Sequence, residues 1–187
     1  DVTPNLYQFN WQETIVNTTA PAKNIVIIGD NETNNNILEN ILKEKGCHVT
    51  TLSSNASLVG INPDLIILHT ALTNELSFEI NLEQGILPLQ KIIRQANNTS
   101  QHPKICVVTN GAFILQQNTS ANLNAATLIG VLRTLENEHE EINFLQIDVT
   151  KEYTPKDIAK VAELVFAENN FKEIAIRNNS IFTNVIE

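Results

Sequence analysis

The residues of this chain best placed to do chemistry follow its first buried run. Ile25-Val26-Ile27-Ile28 leads into Gly29-Asp30-Asn31-Glu32-Thr33-Asn34. A strand, a glycine-rich turn and a helix form the layout that grips a dinucleotide. That grip needs Gly-x-Gly-x-x-Gly, so that backbone can close on the pyrophosphate at the helix N-terminus. Only one glycine stands in this turn, and Asp30 and Glu32 would repel a phosphate. The alternative use of Asp30 and Glu32, an acidic pocket for a metal or phosphoryl group as in a receiver domain, needs a further aspartate after the third strand. Leu68-His69-Thr70-Ala71 stands there instead. His48, His69, His102 and His139 show no metal-ligand spacing and read as structural. Asp148 ends an apolar run with no partner acid or nucleophile near it in sequence, and reads as a cap or turn residue. Cys47 and Cys106 read as buried free thiols, as expected in a reducing cytoplasm. No catalytic, cofactor-binding or metal-binding residue is assigned.

The elements around these residues alternate. Residues 6–12 place Tyr7, Phe9 and Trp11 on one face of a half-buried strand, and a polar linker with Pro21 covers 17–23. After strand 25–28 comes a helix over 36–45 with Ile37, Leu38, Ile41 and Leu42 on one side, closed by a left-handed Gly46. Strands follow at 48–52, 65–68, 105–108, 144–149, 173–176 and 181–185. The last two make a hairpin around Asn178-Asn179-Ser180. A helix occupies 123–138, with Leu128, Ile129, Leu132 and Leu135 as its stripe. Another follows the Thr154 cap, with Pro155 first and Asp157 near its positive end. Between 76 and 96 a helix is expected from about Leu82, its start obscured by Gly85 and Pro88. Continuous apolar strands alternating with helices mean a parallel sheet covered on both faces. The expected fold is α/β: a truncated, Rossmann-like, doubly wound parallel sheet with an extra N-terminal strand and a C-terminal hairpin. One domain is expected over 1–187, with 1–23 as strand and linker and 24–187 as the core.

A net charge of −9 argues against nucleic acid or an anionic membrane as partner. No apolar run approaches the roughly 20 residues of a membrane span, and no signal segment is seen, so a cytoplasmic location is expected. Asn-x-Ser/Thr triplets at Asn17 and Asn55 follow from an asparagine-rich composition and carry little weight for glycosylation.

Several stretches, in order, resemble the structural subdomain of a modular polyketide synthase ketoreductase, of the short-chain dehydrogenase/reductase superfamily. Leu6-Tyr7-Gln8-Phe9-Asn10-Trp11 resembles the Leu-Tyr-x-x-x-Trp strand that opens it. The run Lys104 to Ala112 resembles a strand ending Val-Thr-x-Gly-Ala. Gly130-Val131-Leu132-Arg133 with Glu138-His139 resembles a helix carrying Gly-x-x-Arg and Glu-His. Phe144 to Asp148 matches the strand after it. Glu173 to Arg177, with Ile181-Phe182, is similar to the closing hairpin. The departures are polar: Asn and Gln replace the Ala and Arg common in the family, and Leu132 stands where a second glycine is frequent.

The resemblance implies a non-catalytic half that stabilises an NADPH-dependent half reducing β-keto groups on carrier-bound polyketide chains. Its reductase chemistry would need a Tyr with a Lys four residues on, and a Ser to polarise the carbonyl. This chain has no tyrosine from residue 8 to 152, no lysine from 105 to 150, and Tyr153 stands three residues from Lys156. NADPH is therefore expected in a partner half of the same polypeptide and not here. Other polyketide synthase domains, acyl carrier protein included, are expected as neighbours. Tyr7, Phe9, Trp11, Arg133, Arg177 and Phe182 are the expected partner interface, with Arg133 anchoring a neighbouring segment. Two alternatives stay open: a pseudo-ketoreductase scaffold for a methyltransferase or dehydratase, and an independent small-ligand-binding α/β domain.

Overall fold

Largely apolar runs bury both sides of a strand, and four such runs frame the molecule. The computed structural model describes residues 9–70, 72, 77–98, 102–115, 120–168 and 170–186. The four are β2 (Asn24–Ile28), β4 (Leu65–His69), β5 (Lys104–Asn110) and β6 (Phe144–Val149). With β1 (Phe9–Glu13), β3 (His48–Leu52), β7 (Glu173–Arg177) and β8 (Ser180–Ile186), they make one eight-stranded sheet. Its order is β1-β8-β7-β6-β5-β4-β2-β3. The pairs from β3 across to β7 are parallel, whereas β8 and β1 add on antiparallel. This is the expected doubly wound sheet with its extra first strand and terminal hairpin.

Alternate residues of each central strand feed opposite cores. Ile25 and Ile27 pack with Leu38 and Leu42 of α1 (Glu32–Glu44) and Ile158 and Val161 of α5 (Pro155–Leu164). On the other face, Val26 and Ile28 share a core with Leu89 and Ile92 of α3 (Leu87–Asn97) and Leu128 and Leu132 of α4 (Leu123–Glu138). Thr154 and Asp157 form a reciprocal capping box on α5, with Pro155 at its start.

Two helix starts lie earlier than the sequence suggests. Asn31 accepts a hydrogen bond from the Asn34 amide, so α1 begins at Glu32 and not at residue 36. The helical segment expected from Leu82 begins as α2 (Phe78–Asn81) and passes through a π-turn, Leu82–Ile86, into α3. In the π-turn the Leu87 amide reaches back to the Leu82 carbonyl. That widening comes just before Pro88, whose ring would otherwise press on the preceding turn. Gly85 faces Leu72, Asn81 and Leu128 there, at distances that leave little room for a side chain. At the hairpin, Asn178 and Asn179 both take positive φ, the two-residue turn that matches strand twist, and Ser180 already belongs to β8.

Candidate functional site

From β2 the chain moves outward to β3, then crosses back to β4 on the other side of β2. Open α/β sheets bind ligands at that switch point, beyond the carboxyl ends of the strands. Here the place is taken by the chain's own side chains. The Gly29 amide donates to the Leu52 carbonyl, and any Cβ on Gly29 would collide with the His69 carbonyl oxygen. The glycine thus serves a close approach of the β2 turn to β4. Asp30 accepts from the Ser54 amide and hydroxyl, so its carboxylate braces the loop after β3.

A one-directional chain of hydrogen bonds closes the crevice. Asn34 Nδ2 donates to the Tyr153 hydroxyl (2.8 Å), which donates to His69 Nε2 (3.2 Å). His69 Nδ1 donates to Asn35 Oδ1 (2.8 Å), and Asn35 Nδ2 donates to the Gly29 carbonyl (2.9 Å). The link from Tyr153 requires a neutral imidazole, its proton on Nδ1 and its Nε2 free to accept. Burial agrees, since it pushes the His69 pKa down to about 4 and raises that of Tyr153. Tyr153, set aside in the sequence for its spacing to Lys156, is thus a bridge between the α5 entry, α1 and β4. Neither Lys156 nor a serine joins it in these bonds.

A second cluster sits at the carboxyl ends of β5, β6 and β7. Asp148, fully buried, accepts from Thr109 Oγ1 (2.7 Å), the Ala112 amide (2.9 Å), the Phe113 amide (3.1 Å) and the Arg177 guanidinium. Arg177 also donates to the carbonyls of Asp148, Ile176 and Phe113. The cap-or-turn reading of Asp148 is corrected: it is the centre of an ionic anchor. The signal in the sequence was an acid ending one buried strand and an arginine ending the next. Only the topology puts β6 and β7 side by side.

Of the residues expected at a partner interface, Tyr7 lies outside the described residues and the others gather around the β1-β8-β7 end. Register pairs Phe9 with Ile186, Trp11 with Asn184, and Phe182 with both Glu13 and Ala175. Directly paired residues project to the same side, so Trp11, Phe182, Glu173 and Arg177 belong to one face of the β1-β8-β7 end. The half-buried Trp11 ring lies against Phe113, centroids 4.6 Å apart. Arg133, on α4, holds Glu173 with two hydrogen bonds (2.5 and 2.9 Å), and Asn184 donates to the same carboxylate. Arg133 and Arg177 therefore serve opposite ends of β7, and both are engaged within the chain.

The other candidates remain apart. His48 lies on the edge strand β3, His102 binds the Ala96 carbonyl, and His139 caps α4 beside Glu141. Cys47 and Cys106 are buried and unpaired, and burial pushes the Cys106 thiol up to about 12. Among the described residues no three His, Cys, Asp or Glu side chains gather to hold a metal, and no helix is long and apolar enough to cross a membrane.

Compared by sequence, the chain matches no protein-family model and no curated protein. Its fold, in contrast, is that of polyketide synthase ketoreductases. A C2-type ketoreductase from a modular polyketide synthase superposes with a TM-score of 0.74 at 13% identity, over 96% of this chain and 42% of that one. An adenylation, ketoreductase and pseudo-Asub multidomain structure of a keto acid-selecting NRPS module gives 0.74 at 13%, over 96% and 18%. A short-chain dehydrogenase/reductase from Brucella ovis, in complex with a partially ordered NAD, gives 0.54 at 11%, over 83% and 99%. The chain spans about two fifths of the C2-type ketoreductase it matches.

Proposed function

We propose that this chain is the non-catalytic, structural half of a polyketide synthase ketoreductase. It would brace a separate half that binds NADPH and reduces β-keto groups on carrier-bound chains. The observation that carries this reading is the closed switch point. In a reductase fold, the crevice where a dinucleotide would lie is bridged by Asn34, Tyr153, His69 and Asn35. The N-terminus of α1, which would face a pyrophosphate, is capped by Asn31. The match to about two fifths of a ketoreductase's length fits one half of a two-part enzyme.

The face bearing Trp11 and Phe182 is the proposed seam. Tryptophan there combines a large apolar area with a polar handle, as interface anchors do. Titrating NADPH into this chain alone, and into the chain mixed with the reducing half of the same polypeptide, tests the proposal. Saturable micromolar binding is expected only in the mixture, with a change in the emission of Trp11, the sole tryptophan. Micromolar binding by the chain alone, or no response of Trp11 to the partner, overturns it.

A further inference from the structure

The loop that carries the chain from β3 to β4 leaves a groove against α3, and nothing in the ketoreductase reading accounts for how it is built. Gln95 Nε2 donates to the carbonyls of Leu58 (2.5 Å) and Ile61 (3.3 Å), tying the loop's middle to the helix. Asp30 holds its start through Ser54, and Gly60, at φ +81°, lets it turn back. The groove between is about 590 Å3 and is fixed by these bonds before any ligand arrives. That is the size of a small-molecule site, which runs roughly 300–1,000 Å3.

Its lining has a definite chemistry. Lys91 and Arg94, one helical turn apart on α3, both face it, and no Asp or Glu lines it. The rest is mostly uncharged: Ser57, Asn62 and Asn98 offer hydrogen bonds, and Val59 is an apolar rim that is 86% exposed. In a chain of net charge −9, two cations without an acid between them form a local positive field. The three arginines make the point sharper. Arg133 is held by Glu173 and Arg177 by Asp148, whereas Arg94 makes no ion pair or hydrogen bond among the described residues. A favourable position in the last turn of α3 accounts for Arg94 alone, not for Lys91 or the tied loop. A planar guanidinium beside an ammonium is the pairing that takes a phosphate, one in bidentate fashion and the other as a point charge.

We propose that this groove binds a small phosphate ester, its phosphoryl group between Arg94 and Lys91 and an uncharged polar tail along Asn62 and Asn98. The proposal does not rest on the ketoreductase reading and stands or falls separately from it. Inorganic phosphate and pyrophosphate are the probes, titrated into the 15N-labelled chain with ionic strength held constant by chloride. Saturable amide shifts confined to residues 53–62 and 91–98 are expected, with pyrophosphate binding more tightly. Arg94→Gln and Lys91→Gln, both at exposed positions, should each weaken binding about tenfold while the thermal melt stays that of the parent chain. Arg94→Lys, which keeps the charge but not the fork, should bind several-fold more weakly than the parent. Shifts that fail to saturate, that spread over the surface, or that persist at parental affinity when both residues are glutamine overturn the site.

Discussion

At the β2–β4 end of the sheet's carboxyl edge the buried polar groups are neutral and bond in a single direction, from Asn34 to the Gly29 carbonyl. At the β5–β7 end they are charged and converge on one carboxylate, that of Asp148. Both clusters fill space above parallel strands, where open sheets leave room for ligands. The first spans a crevice between α1, β4 and the entry to α5, with no ion involved. The second draws the loop after β5 to the end of β7, and with it the Phe113 ring that carries Trp11. One end of the edge is therefore bridged by the chain's own neutral side chains, and the other is committed to holding the added hairpin. The energetic difference is large, because a buried charge stripped of its partner is far costlier than a neutral group stripped of one.

Asp148→Ala should accordingly give the largest loss. It leaves the mostly buried Arg177 guanidinium without its counter-charge, and the Thr109 hydroxyl and two amides without an acceptor. Breaking a buried pair by removing one partner costs about 3–5 kcal/mol. Urea unfolding measures it. A loss below about 1 kcal/mol, the size of an exposed pair, would mean the cluster is solvated and the contrast between the two ends fails. The matching substitution on the surface pair, Arg133→Gln, supplies that lower reference within the same molecule.

The neutral end carries a pH dependence of its own. His69 is held at about 4, against 6.5 when exposed, because burial penalises the imidazolium. The unfolded chain thus binds a proton more readily than the folded one, so stability is full above about 6.5 and falls as pH drops toward 4. A shift of that size is worth on the order of 3 kcal/mol. Unfolding curves at steps between pH 7 and 5, before most carboxylates titrate, should show the decline, and His69→Gln should flatten it. An unchanged slope in His69→Gln assigns the decline to other groups and removes the neutral relay from the account.

How far these clusters were legible in the sequence follows from the range of their contacts. β2 and β4 declare themselves in uninterrupted Ile, Val and Leu, β5 and β6 in largely apolar runs, and α4 in its apolar stripe, because those signals are local. The lone Gly29 was legible as a departure from a phosphate turn. Its actual use, the approach to the His69 carbonyl, depends on a strand 40 residues further on. Asp148 and Arg177 stand 29 residues apart, and Tyr153 and His69 84 apart. No spacing rule joins such pairs; the sheet order does. The π-turn escaped for another reason: glycine and proline within a helix read as breaks, while here the wider turn precedes Pro88 and Gly85 makes room for Leu72.

Tyr153→Phe is the smallest and most discriminating change at the neutral end. It removes only the hydroxyl that accepts from Asn34 and donates to His69, and leaves the ring packed near the imidazole, centroids 5.9 Å apart. A lost neutral hydrogen bond with a buried acceptor left behind costs about 1–2 kcal/mol, well under the expected loss at Asp148. Size alone would not separate a relay from two unrelated bonds. Coupling does. If the chain from Asn34 to Gly29 is one directional unit, Tyr153→Phe and His69→Gln should be non-additive by about 0.5 kcal/mol or more, since either one already breaks the path. The same cycle run between Tyr153→Phe and Arg133→Gln, which share no partner, should come out additive. Additivity in both cycles would leave each residue of the crevice bonded on its own account. The closure of the switch point would then rest on packing, and the difference between the two ends would reduce to that between one ion pair and none.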